Sequence, residues 1–261
     1  MNDRDYYFWI ATFDCDDGID PVSAVEKILC GLRDAPRPIT PVGYEIYRDV
    51  GSVSFELTGG KARAWQYCVI AELAPDTMIA DLVARPPAIL TVPEWEPGVQ
   101  CLSSELAVRP QGAGTCIPRA AIGKAAMPSH YKVGIEYIYI PPGNWTDYQD
   151  FMRSVYGPIG KLLVEDDHFH KLIITERVCS FLHDPSMPEW NCVHISAADF
   201  DSETDGALAR VSEAVRSYLG PDATIESSFA PVRGYRLKAK MSRNSLVYST
   251  WPASPSCPSA S

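Results

Sequence analysis

The sequence predicts an α+β chain made of two tandem β-α-β-β-α-β units with antiparallel sheets. Three observations carry this. The chain has 261 residues, room for two units of roughly 100–130 residues each. Strand-like and helix-like stretches follow the same order in both halves. Two local echoes also mark a duplication: WQYCVI at Trp65–Ile70 resembles WNCVHI at Trp190–Ile195 with one gap, and RDVGSVSF at Arg48–Phe55 resembles ERVCSF at Glu176–Phe181.

In the first half, Tyr6–Phe13 is rich in aromatic and β-branched residues and reads as a strand. Asp20 then caps a helix with Pro21 at its first position, and Val22, Val25, Ile28, Leu29 and Leu32 fall on one face. Tyr44–Phe55 and Trp65–Leu73 are strands. Asp76 caps a short helix with Ile79, Leu82 and Val83, which ends before Pro86-Pro87, and Val99–Val108 is the fourth strand. In the second half, residues 131–140 form a strand closed by Pro141-Pro142-Gly143. Asn144 caps a helix with Trp145, Tyr148, Phe151, Met152, Val155 and Tyr156 on one face, interrupted near its end by Pro158. Residues 170–182 and Trp190–Ser196 are strands. Asp201 or Ser202 caps a helix whose apolar stripe runs from Ala207 and Leu208 through Val211, Ala214 and Val215 to Tyr218 and Leu219, with Gly220 at its end. A last strand is expected near Thr224–Phe229. The units are thus 1–110 and 130–240, joined by a Gly/Ala/Pro-rich linker at 111–129, and the Pro/Ser-rich tail 241–261 is expected to be mobile.

Composition narrows the function classes. The formal net charge is −10 and no Lys/Arg stripe offsets it, so nucleic acid is not an expected partner. No apolar run reaches the ~20 residues that span a bilayer, and MNDRDYYFWI lacks the cationic and apolar regions of a signal peptide. The expected location is cytoplasmic. Eight cysteines include no CxxC pair, and Cys68, Cys179 and Cys192 lie in apolar strands, which points to reduced structural thiols. GxGxxG, Walker, GxSxG and HExxH motifs are missing from the sequence.

The repeated element order resembles the ferredoxin-like dimeric α+β barrel superfamily over about 220 residues. Its members include EthD-like proteins, polyketide cyclases and decarboxylases, cofactor-free monooxygenases and haem enzymes built on tandem repeats. DFMRSVYGP, from Asp150 to Pro158, resembles the F…YW…H-x-P helix of EthD-like proteins, with Gly157 roughly where their histidine stands. The resemblance implies two ferredoxin-like sheets packed into an α+β barrel, helices outside, a ligand cavity between the sheets, and closure within one chain. A homodimer is left open.

Strand alternation supplies candidate chemistry. Trp190, Cys192, His194 and Ser196 are placed on one face, and His194 is either a candidate acid or base inside the barrel or a packed histidine bonded to a strand neighbour or facing solvent. Glu136 is a carboxylate among apolar neighbours: either a base of raised pKa, or a structural partner of Arg177 or Lys171. Tyr137 and Tyr139 either offer hydroxyls to a substrate carbonyl or fill the core. The catalytic set is His194, Glu136 and Tyr137, with Tyr139, Trp190, His170 and Arg177 as substrate contacts. His168 and His170 share a strand face beside a carboxylate, which would suit a metal, but the acidic run at 165–167 reads as a solvated turn and no metal is assigned.

The function expected is cofactor-independent proton transfer on a small, apolar, aromatic or polyketide-like substrate, by an enzyme of the lyase or isomerase (cyclase) type. The alternatives are a haem-dependent or cofactor-free oxidoreductase of the same fold, haem needing one axial imidazole from any of five histidines, His130 and His183 included, and a non-catalytic small-molecule binding protein.

Overall fold

A computed structural model describes residues 6–35, 39–54, 64–74, 77–109, 132–166, 168–198 and 205–250. The first repeat contributes β1 (Tyr6–Cys15), α1 (Pro21–Arg33), β2 (Pro41–Ser54), β3 (Tyr67–Leu73), α2 (Ile79–Ala84), the short β4 (Glu94–Glu96) and β5 (Val99–Arg109). The second contributes β6 (Lys132–Tyr139), α3 (Trp145–Phe151), α4 (Gly157–Glu165), β7 (Phe169–His183), β8 (Cys192–Ala198), α5 (Asp205–Leu219), α6 (Ile225–Phe229) and β9 (Leu237–Ser249).

Within each repeat the strands lie in the same lateral order, β5-β1-β3-β2 and β9-β6-β8-β7, every neighbour antiparallel. The two sheets join edge to edge: β2 pairs with β9 and β5 with β7. Eight strands therefore close a barrel inside one chain, and β4 hangs as a short hairpin partner of β5. Closure removes the unpaired edges that two open sheets would leave. In this ring β5 lies opposite β9, β3 opposite β8, and β2 opposite β7.

Alternation sorts the side chains into an interior and an outer layer. Phe8, Ile10, Cys68, Ile70, Ile135, Tyr137, Val193 and Ile195 pack inside the barrel. Trp9, Ala11, Phe13, Val69 and Ala71 face outward and pack with Val25, Ile28, Leu29 and Leu32 of α1. That helix begins as its sequence predicts: Asp20 accepts hydrogen bonds from the N–H groups of Val22 and Ser23, and Pro21 needs no donor there. Each of the four buried aliphatic side chains on α1 contributes about 1.5–3 kcal/mol by leaving water.

Several local expectations are corrected. Thr224–Phe229 is no strand. Thr224 and Ser227 form a capping box that starts α6, and the fourth strand of the repeat is β9 instead. Residues 241–249, expected in a mobile tail, are thus integral to the sheet. Pro158 does not end the helix: α4 begins at Gly157 with proline in its first turn, and one π-helical segment, Met152–Tyr156, joins it to α3. The wider turn accommodates a residue that cannot donate to the carbonyl four positions back. Asn144 lies in a 3₁₀ turn and makes no side-chain cap to α3. Tyr218 and Leu219 are exposed rather than on the packed stripe of α5. Asp76, Asp201, Ser202, the 111–129 linker, His130, Cys116 and Cys257 lie outside the described residues. The six described cysteines are free thiols. No described helix is long and apolar enough to cross a membrane.

Candidate active site

One end of the barrel interior is closed by aromatic rings. Trp65 and Trp190 each sit two residues before their strand, β3 and β8, so the two repeats deliver one indole apiece from opposite walls. The rings meet 5.6 Å apart. Tyr137, inward-facing on β6, makes edge contacts with both, at 4.7 Å from Trp65 and 5.0 Å from Trp190. His183, at the end of β7, packs edge-on against Trp190 at 5.0 Å. The β7–β8 connection holds Trp190 in place with a turn in which the Ser186 N–H and hydroxyl donate to Asp184, and it also carries the buried Met187.

Among these rings lies Glu105, 2% exposed, from β5. The Trp190 indole N–H donates to its two oxygens at 3.1 and 3.3 Å. Burial raises this carboxyl most, Arg177 and the indole hydrogen bond pull it down, and Glu189 raises it; the result is about 7. Arg177 does not neutralise it by contact, because its guanidinium reaches Glu189 at 3.4 Å. A buried carboxyl held by one indole costs stability and is poised to gain or lose a proton near neutral pH. The Tyr137 hydroxyl, in the same place, makes no hydrogen bond among the described residues, and burial, with Cys68 beside it, pushes its pKa well up. His183 Nε2 is likewise buried without a hydrogen bond among the described residues, 4.0 Å from Glu189 Oε1. Opposite Glu105, Lys240 from β9 lies 3.6 Å over the Trp65 ring and pairs with Asp49 at 2.5 Å.

The predicted catalytic set is divided between two places. Tyr137 joins the aromatic end, together with Trp190 and, at its edge, the partly exposed Arg177. His194 and Glu136 do not enter the barrel. They face the helices, cross-strand neighbours on β8 and β6, because Glu136 adjoins the inward Tyr137 and must point the other way. Trp190 also does not share their face. It precedes β8, where the Asn191 side chain bonds the backbone N–H and C=O of Ile140 and breaks the alternation.

In the helix layer the Tyr148 hydroxyl of α3 bonds His194 Nε2 at 2.9 Å, and Tyr156 packs against the imidazole with centroids 5.6 Å apart. Burial and Arg236 lower the His194 pKa to about 3, against the pull of Glu136, so the ring is neutral at ordinary pH. Glu136 bonds Arg236 at 2.7 Å and has Lys238 at 3.7 Å. Burial would raise this carboxyl, but Arg236, Lys238 and His194 hold it down at about 2. Glu136 is therefore a permanent counter-ion rather than a base, and its partners are Arg236 and Lys238, not Arg177 or Lys171.

Lys171 instead crosses the barrel from β7 to β2, bonding both oxygens of Glu45 near the end away from the tryptophans. His170 is buried beside it at the start of β7, and is not brought to the aromatic end. Tyr139 is half-buried at the end of β6. Among the described residues no three His, Cys, Asp or Glu side chains stand close enough to hold a metal ion; Asp167 lies outside them. Glu105 and Lys240 escaped the sequence reading. The signal for Glu105, a carboxylate between Ser104 and Leu106 in an apolar strand, was as plain as that for Glu136. Lys240 stood at the edge of a presumed tail.

No family model matches the sequence, and no curated protein matches it. Solved structures resemble its fold. A Fusobacterium nucleatum subsp. nucleatum protein described as a monooxygenase aligns with a TM-score of 0.50 at 8% identity, over 95% of each chain. An anthrone oxidase-like protein aligns at 0.49 and 11% identity, over 97% of each chain. A chlorite dismutase variant from Candidatus Nitrospira defluvii aligns at 0.46 and 10% identity, over 93% of this chain and 92% of the other. Closed antiparallel barrel, outer helices and this likeness together give the chain the dimeric α+β barrel fold, with both halves supplied by one polypeptide.

Proposed function

We propose that the protein is a small-molecule enzyme that moves a proton with Glu105 at the aromatic end of its barrel. The carrying observation is a fully buried carboxyl, poised near pH 7, whose hydrogen-bonding partner is the Trp190 indole. Trp65, Tyr137 and Trp190 offer flat apolar faces to an aromatic substrate. Ionised Glu105 would take a proton from an acidic C–H, forming the neutral acid and a carbanion or enolate. Returning that proton to another carbon completes an isomerisation or cyclisation. The Tyr137 hydroxyl, without a hydrogen bond among the described residues, would donate to the substrate oxygen.

The same deprotonation supports a second reading as an oxidoreductase. Molecular oxygen captured by the carbanion would give an oxygenated product, and a neighbour of this fold is described as a monooxygenase. A haem would need an imidazole nitrogen facing open space. His194 spends Nε2 on Tyr148 and has Tyr156 against its ring, so it does not fit that role. The chemistry proposed runs on side chains alone.

Deuterium exchange into a panel of aryl ketones and phenols in D2O, followed by NMR, tests the assignment. Wild-type protein should accelerate exchange at one class of carbon acid, and Glu105→Gln should lose about 10²–10⁴-fold of that rate. Equal rates in the two proteins would remove Glu105 from the mechanism, and a Soret band in the purified protein would replace it with haem chemistry.

A further inference from the structure

The geometry points to Lys240 as the group that holds the substrate's developing oxyanion, which makes the substrate class a phenol or an enolisable aryl carbonyl. This inference rests on Glu105 being the proton-transfer group and adds where the resulting negative charge resides.

Its first support is position. Lys240 and Glu105 come from strands on opposite sides of the ring, β9 and β5, both inward at the same end. Between them stand the rings of Trp65, Tyr137 and Trp190. Cys68 feels the charge of both, so its thiol lies within electrostatic reach of the acid and of the ammonium. A planar molecule lying on these rings would present one edge to the carboxyl and the other to the ammonium.

Its second support is the way the repeats differ. The echo of RDVGSVSF with ERVCSF sets Asp49 of β2 against Arg177 of β7. Asp49 pairs with Lys240 beside Trp65; Arg177 lies near Glu105 beside Trp190. Equivalent positions on β2 and β7 thus carry opposite charges: the acid of β2 pairs with a base on the adjoining β9, and the base of β7 lies near an acid on the adjoining β5. One wall of the aromatic end is left with a proton acceptor and the facing wall with a cation.

Its third support is the state of the lysine. The side chain is 0% exposed, and among the described residues its one hydrogen bond is to Asp49. An ammonium carries three donors, so donors remain beyond the one used, and the ammonium itself lies over the indole face. Burial depresses its pKa while Asp49 supports its charge. A fixed, desolvated cation stabilises charge that forms during reaction far better than a hydrated one does. The step balances within the substrate: the C–H proton goes to the Glu105 carboxylate, the electron pair moves onto the substrate oxygen beside Lys240, and reprotonation by Glu105 restores both groups.

The probe for this arrangement is 4-nitrophenol, whose phenolate absorbs separately from the neutral phenol. Wild-type protein should bind the phenolate and lower the apparent pKa of the bound probe. Lys240→Met should weaken phenolate binding at least tenfold while leaving neutral-phenol binding within about twofold. Asp49→Asn, which removes the competing anion, should tighten phenolate binding, and it provides the readout if the methionine variant fails to fold. Glu105→Gln should bind phenolate at least as tightly as wild type. Phenolate binding unchanged in Lys240→Met, weakened in Asp49→Asn, or undetectable in wild type overturns the inference. Failure of the parent reading looks different: deuterium exchange insensitive to Glu105→Gln, with the lysine-dependent phenolate signal intact.

Discussion

Replacing Glu105 with glutamine should change how stability depends on pH, with a sign and size fixed by the fold. An ordinary glutamate titrates at 4.5, and Glu105 in the folded protein at about 7. Below pH 4.5 the carboxyl is protonated in both states, and its neutral form is the one the barrel interior favours. Between 4.5 and 7 the folded chain holds a proton that the unfolded chain has released. Stability then falls by roughly 1.4 kcal/mol per pH unit, about 3 kcal/mol over the window, and the slope vanishes above 7. Glutamine keeps an oxygen to accept the Trp190 N–H but has no proton to lose.

Wild-type data alone would hide this effect. His194 has its folded value depressed to about 3, so it contributes stability that is complete above pH 6.5 and is lost as pH falls toward 3. The two slopes oppose each other between 4.5 and 6.5. The quantity to measure is therefore the difference, wild type minus Glu105→Gln, from urea unfolding at half-unit steps between pH 4.5 and 8. It should fall by about 3 kcal/mol as pH rises, roughly 6–12 °C in Tm for a chain of this size. A flat difference would mean that Glu105 ionises normally. A difference rising with pH would mean that Arg177 holds it as a carboxylate, and either result would refute the proton-transfer assignment.

Two further outcomes follow from the buried pairs. Lys171→Met leaves the Glu45 carboxylate without its ion-pair partner across the barrel and should cost about 3–5 kcal/mol, whereas Lys171→Met with Glu45→Met should recover much of that loss, as equilibrium unfolding would show. In the Glu105→Gln background, stability should drop as pH falls from 6.5 toward 4.5, above the range in which the depressed Glu136 adds its own loss. Adding His194→Gln should flatten that limb, and a limb that stays steep would place its origin elsewhere.

Much of the architecture was legible because it rests on periodicities that tertiary contacts reinforce. Asp20-Pro21 starts a helix on local chemistry alone, and WQYCVI and WNCVHI occupy equivalent places because each delivers an indole to the same end of the barrel. What misled was polarity inside the barrel. MSRNSLVYS, from Met241 on, reads as the start of a mobile tail, yet Ser242 and Asn244, like Lys240 just before it, are buried, with relative exposures of 1, 8 and 0%. An interior that accepts Glu45, Lys171, Glu105 and Lys240 in opposed positions gives no apolar alternation by which its strands can be recognised. The Thr224–Ser227 capping box, read as β-rich sequence, shows the converse: a few side-chain bonds decide a helix where no long pattern competes.

The same polarity explains why the candidate residues were drawn to the wrong layer. His194 and Glu136 are conspicuous as isolated ionisable groups on apolar strands, but each has found a neighbour that fixes its charge state. Glu136 stays ionised against Arg236, and His194 stays neutral beneath Tyr148 and Tyr156. A group so fixed near neutral pH can shape a field and hold a helix to a sheet; it cannot exchange a proton during turnover. Glu105 lacks that resolution. Arg177, the charge that could fix it, is drawn off to Glu189 at the barrel edge, and the indole of Trp190 bonds the carboxyl without settling its protonation. Reactivity in this chain is therefore to be sought where pairing is incomplete, which is a property of three-dimensional neighbours that spacing along a strand does not reveal.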